Sequence, residues 1–226
     1  MGLGGILQEL KAEGVLTFYH DYRSGRLYDW SGNGRNGTAT NISFTKDGAL
    51  FKAASSSIVV PSYTAMESAT GSMLASLIYC ETGSFNIISK DTGVGGDKQF
   101  NWVYSHYAPN MVIENTNGVD PYLVVAISGQ KTHGISYTAG VTPKGYLNGV
   151  SIGSYVGNYS CTAKPLAVVT IGNYTNGGFN AQLGTVFKYF LHASRVLTAT
   201  EHLRIYAQLE NMSWDTKGLT PGPMMP

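Results

Sequence analysis

The chain has 226 residues, a formal net charge of +1, 13% charged side chains and 43% hydrophobic ones. That balance offers no basic stripe for a nucleic-acid backbone, and no apolar run is long enough to cross a bilayer as a helix. There is apolar material for one sizeable core. The missing charge is replaced by Gly, Ser, Thr, Asn and fifteen tyrosines, a polar, uncharged surface that costs little to desolvate against neighbours or sugars.

Residues 1 to 13 carry a short helical period at Ile6, Leu7 and Leu10 that stops at Gly14, and are expected to be an arm that either docks on a partner or frays. The start lacks the basic n-region and sustained h-region of a secretory leader, so none is expected. From Val15 to Leu191 the pattern is short extended runs punctuated by Gly, Asn, Asp and Pro, the spacing of a β-sandwich. The clearest runs are Val15 to Tyr19, Ser72 to Tyr79, Asn86 to Ser89, Phe100 to Tyr104, Met111 to Ile113 and Tyr122 to Ile127. After them come Gly134 to Tyr137, Gly145 to Leu147, Val150 to Tyr155, Leu166 to Ile171 and Gly184 to Leu191. In Asn101 to Tyr107 the side chains of Trp102, Tyr104 and His106 share one face by period two; the first two are read as core rather than as a sugar platform.

Asn148-Gly149 joins two apolar runs and predicts a tight hairpin, because both residues tolerate positive φ. Phe187 to Leu191 is almost continuously apolar, which predicts a central strand covered on both faces. Thr198 with Glu201 forms a capping box ahead of a helix to Leu209, whose stripe is Leu203, Tyr206 and Leu209. The reading is all-β: a two-sheet antiparallel sandwich over residues 14–210 with one short C-terminal helix, followed by a flexible tail, 211–226.

Little in the chain points to catalysis. Hydrolysis of a glycoside with retention needs two carboxyl groups about 5 to 5.5 Å apart, and the acidic residues here are scattered through loops and the helix. The chain has no Gly-x-Ser-x-Gly elbow and no His-Glu-x-x-His helix. His20, His106, His133, His192 and His202 are dispersed and are read as structural. Cys80 and Cys161 are too few for a disulfide framework, and buried free thiols are favoured over a bridge. Sugar sites combine aromatic faces with amides, and loop positions of that kind are Tyr107, Asn115 with Asn117, and Asn173, Tyr174 and Asn176. Ordinary exposed turns use the same residues.

The order of phrases in the C-terminal half resembles laminin-G-like domains of the concanavalin A-like lectin and glucanase superfamily. These phrases are Tyr146-Leu147-Asn148-Gly149, then Ile171-Gly172, Phe179 to Gly184, the last long strand, and Arg195-Val-Leu-Thr-Ala-Thr-Glu201. Tyr28 to Thr38 looks like that family's D-x-S-G-N-G-x-x-G loop, and Gly48 to Phe51 with Ser57 to Pro61 follows its strand rhythm. The resemblance covers residues 14 to 209 and departs at Thr132-His133-Gly134, where the family often has Trp-His. It implies a concanavalin A-like jelly roll, and roles that range from lectins and hydrolases to phage capsid-decorating and tail proteins. Relatives often hold calcium with loop oxygens; Asp29, Ser31 and Asn33 are the candidate ligands, against the alternative that Asp29 and Asn33 make Asx turns. The expectation is a non-enzymatic attachment module, a virion surface component, located on a virion or an extracellular surface, whose partners are other structural proteins, itself, or glycans. The alternative is a free carbohydrate-binding module, and a hydrolase stands last.

Overall fold

The computed structural model describes residues 5–78, 85–91, 98–105, 110–114, 120–125, 129–165, 167–173 and 183–212. Among these described residues, fifteen strands form two antiparallel sheets. The first contains β1 (Leu16–Asp21), β3 (Ile42–Thr45), β4 (Gly48–Phe51), β6 (Thr70–Ile78), β11 (Gln130–Thr138), β12 (Lys144–Leu147), β13 (Val150–Ser154) and β15 (Val186–Ala193). They are ordered β13-β12-β11-β6-β15-β4-β3, with β1 also paired to β15. The second contains β2 (Thr38–Thr40), β5 (Ser57–Val60), β7 (Phe85–Asp91), β8 (Lys98–Ser105), β9 (Asn110–Glu114), β10 (Tyr122–Val124) and β14 (Val169–Ile171), ordered β10-β9-β8-β7-β14-β5-β2. The described residues also form two α-helices, α1 (Gly5–Ala12) and α2 (Ala199–Glu210), and two short 3-10 turns at Tyr22–Ser24 and Thr64–Glu67.

Period two explains which residues meet. On β6, Met73, Ala75 and Leu77 enter the core between the sheets, while Leu74 enters a second apolar cluster. On β15 a register shift between Phe187 and Tyr189 breaks the alternation, so that Phe187 and Phe190 enter the first, and Tyr189, Leu191 and Ala193 the second. That second cluster joins the strands to α1 and α2: Ile6, Leu7 and Leu10 pack with Leu16, Leu197, Ile205 and Leu209. Strands with both faces covered read as near-continuous apolar runs, and β15 is the central strand that its sequence predicts. Trp102 is fully buried and Tyr104 is 7% exposed, both in the inter-sheet core as expected.

The segment set apart as an arm forms α1, seated on the domain's own outer cluster. Arg204 pairs with Glu9 at 2.5 Å, and Arg195 pairs with Glu13 at 2.9 Å, tying this segment to α2 and its approach. A three-residue apolar stripe shows amphipathicity but not its partner, which here comes from strands and a helix far along the chain. The capping box is present: Thr198 Oγ1 accepts the Glu201 N–H at 3.2 Å, and the Glu201 carboxylate accepts the Thr198 N–H at 2.7 Å. Arg195 hydrogen-bonded to Glu201 lowers that carboxyl to about 2. The β12–β13 turn has Asn148 at φ 50° and Gly149 at φ 78°. A Cβ on Gly149 would lie 2.7 Å from the Leu203 backbone, so the hairpin tip rests on α2 through a glycine.

Candidate binding groove

A groove of about 430 Å³ opens where the β11–β13 meander meets the start of α2. Its lining includes Ser136 and Thr138 of β11, Lys144 and Tyr146 of β12, Ser151 of β13, and Val196 to Ala199 leading into the helix. Leu197 fixes the helix entry: its side chain is buried, its N–H donates to Ser72 Oγ at 2.9 Å, and its carbonyl accepts from Ser136 Oγ at 3.2 Å. Beneath the floor the His202 ring stacks on Tyr146, with centroids 3.7 Å apart and planes at 14°. Gly134 makes room for that ring, since a Cβ there would stand 2.8 Å from His202 Nδ1. At the rim, Val141 is 53% and Val196 43% exposed, and Lys144 is the one charged side chain of the lining.

Hydroxyls, two exposed valines and a single cation can hold a polar ligand that carries apolar patches. Ser136 Oγ also lies 3.0 Å from His202 Nε2, the spacing of a nucleophile and its base. Burial, however, lowers the His202 pKa to about 3, and its Nδ1 has no acceptor to orient the ring. Ser136 is meanwhile held by Ser72 and the Leu197 carbonyl. The pair works as a brace under the groove.

The candidate calcium ligands do come together, around backbone. Asp29 is fully buried; its Oδ1 accepts the N–H groups of Tyr19 and Ser31 and the Ser31 hydroxyl, and its Oδ2 accepts the Arg35 N–H. Asn33 turns its Nδ2 to the carbonyls of Leu16 and Thr17 and to Ser31 Oγ. The Ser31 bond is an Asx turn, and the loop is shaped by these bonds. Among the described residues, no three His, Cys, Asp or Glu side chains gather as a metal site.

Of the candidate sugar residues, Tyr107, Asn115, Asn117, Tyr174 and Asn176 lie outside the described residues. Asn173 is half-buried, and its carbonyl accepts from Asn86 Nδ2 at 2.9 Å and Ser89 Oγ at 3.2 Å, both on β7. It is absent from the groove lining. Cys161 is a half-buried free thiol, and Cys80 lies outside the described residues. The groove itself had no local signal: its residues run from 136 to 199 and converge through strand pairing.

No family model and no curated protein matches the chain. Solved structures do share its fold. A Trypanosoma rangeli sialidase in complex with sialic acid aligns with TM-score 0.66 at 11% identity, over 88% of this chain and 33% of its own. The botulinum neurotoxin type G receptor binding domain aligns with TM-score 0.63 at 17% identity, over 86% of this chain and 51% of its own. Domain 4 of AbnA, a GH43 extracellular arabinanase from Geobacillus stearothermophilus, in complex with arabinotriose, aligns with TM-score 0.63 at 16% identity, over 84% of this chain and 97% of its own. The chain thus spans a third of the sialidase's length and nearly all of the arabinanase domain's. What is shared at such identities is the fold: a two-sheet β-sandwich related to those of sialidase, arabinanase and toxin receptor-binding domains.

Proposed function

We propose that this chain is a non-enzymatic attachment module of lectin-like fold, laminin-G-like in type, that holds a glycan in the groove at the start of α2. We place it on the surface of a larger assembly such as a virion, in keeping with its low charge. The observation that carries the glycan reading is the groove: about 430 Å³, within the range of small-ligand sites, lined by hydroxyls and two exposed valines, with no carboxylate among its residues. The complexes of the arabinanase domain with arabinotriose and of the sialidase with sialic acid support a sugar as ligand. Among the described residues, three carboxylates outside the groove are engaged, Asp21 with Arg23, Glu201 with Arg195 and Glu210 with Lys188, which supports a role without hydrolysis.

The test is a glycan array with the full chain beside Lys144→Gln and Ser151→Trp, the second filling the groove. The reading expects a defined set of glycans bound by the parent and lost with Ser151→Trp at unchanged melting temperature. Binding that survives a filled groove, or turnover of any bound glycan, would overturn it. Native mass of the full chain, with and without residues 213–226, tests the assembly role; a monomer in both cases counts against self-assembly.

A further inference from the structure

We infer a second saccharide contact, an aromatic ledge made by Tyr28 and Trp30 on the Gly-rich loop before β2. It rests on the glycan reading but not on the groove. Tyr19, Tyr22, Tyr63, Tyr104, Tyr137, Tyr146, Tyr155, Tyr159 and Tyr189 are all 8% exposed or less, whereas Tyr28 is 49% exposed. Its ring meets Trp30 edge to face, with centroids 5.0 Å apart and planes at 72°. An edge-to-face contact covers at most one face of the tyrosine and leaves the other open.

The ledge is held still. Trp30 is half-buried against the outer apolar cluster, and its backbone N–H donates to the Tyr19 carbonyl at 2.8 Å. Between the two residues in the chain, the buried Asp29 carboxylate takes four donors from β1 and the loop, which fixes the backbone that carries both rings. An aromatic ring already immobilised in solvent loses little further entropy on binding, which is what a stacking platform needs. Asn36 is exposed and bonded to the same stretch: its Oδ1 accepts the Asp29 N–H at 2.9 Å, and its amide N–H groups take no part in that bond.

A ring face with a neighbouring amide donor suits a neutral pyranose, whose C–H face stacks on the ring while a hydroxyl takes the amide hydrogen. The ligand class is therefore an uncharged pyranose-containing glycan. One open face and one amide predict weak binding, on the order of millimolar per site.

The experiment is NMR of the full chain titrated with methyl β-glucoside, methyl β-galactoside, methyl α-mannoside and methyl β-xyloside, reading the aromatic signals of Tyr28 and Trp30 and the Asn36 amide. At least one probe should shift all three together, with saturation. Tyr28→Ala should weaken that binding about fivefold to tenfold, the loss of one stacking contact, and Tyr28→Phe should retain it. Tyr28 is exposed, so both variants should melt with the parent, and Ser151→Trp should leave the ledge shifts intact. No joint shift with any of the four probes overturns the ledge, as does equal binding by Tyr28→Ala. Array binding lost with Ser151→Trp but indifferent to Tyr28→Ala would retain the groove and dismiss the ledge. A ledge that titrates while the array is unaffected by Ser151→Trp would do the reverse.

Discussion

Lowering the pH from 7 to 5 should remove about 7 to 8 kcal/mol of folding stability, through His20, His133, His192 and His202. Each is 1% exposed or less. Burial lowers His20 to about 4, partly opposed by the Arg35 carbonyl, and lowers His133, His192 and His202 to about 3. In the unfolded chain the same imidazoles titrate near 6.5. Between those values the unfolded state binds protons that the native state refuses, so stability is complete above the unfolded value and falls as pH drops through it. From pH 7 to 5 an unfolded histidine goes from roughly a quarter to almost fully protonated, which is worth about 2 kcal/mol per residue. Carboxylates in the unfolded chain, near 3.9 to 4.3, are still mostly ionised at pH 5, so the fall in this window belongs to the histidines. Four such groups consume a large part of the roughly 5 to 15 kcal/mol that stabilises an ordinary domain. Urea denaturation at pH 7, 6 and 5 measures the slope, and His192→Gln should flatten it by about a quarter. A stability independent of pH over this window, or native-state NMR showing any of the four rings protonating above pH 5, would refute the reasoning.

Leu10→Ala should cost about 2 to 5 kcal/mol by urea denaturation, because it opens the cluster that seats α1; a loss below about 0.5 kcal/mol would mean that the helix contributes little. Asp29→Ala strands four donors and should cost about 3 kcal/mol or more, with the Trp30 emission shifting as the loop loosens. Since both Asp29 oxygens already accept N–H or O–H groups, calcium or a chelator should leave the melting temperature unchanged; a rise with calcium would place a cation at Asp29, Ser31 and Asn33. Gly149→Ala meets both an unfavourable φ and the α2 backbone and should destabilise by about 2 kcal/mol or more, against about 1 for Asn148→Ala.

Features written in a few adjacent residues were legible from the sequence: the Asn148-Gly149 turn, the Thr198–Glu201 cap, the central character of β15 and the burial of Trp102. Each follows from local dihedral preference or from side-chain period. The strand expected over Tyr122 to Ile127 is described only as Tyr122–Val124. The seat of α1 was not legible, because Ile6 and Leu10 find Ile205 and Leu209 across almost the whole chain. Nor was the groove, whose floor couples Ser136 to Ser72 and His202, residues 64 and 66 positions away. Periodicity shows that a face is apolar; only strand order shows what will cover it.

The clasp between α1 and α2 also bears on how the chain is made. Glu9 meets Arg204 and the Leu7 N–H donates to Gln208 Oε1, so α1 is completed by a helix made about 200 residues later. At about 5 to 20 residues per second, α1 leaves the ribosome some 10 to 40 seconds before its partner exists. Through that interval Ile6, Leu7 and Leu10 have no native cover from α2, a vulnerability of synthesis rather than of the finished molecule. A circular permutant that joins the two helices and opens the chain at the exposed Gly140 would abolish the delay, and would show whether the order of synthesis limits the yield of folded protein.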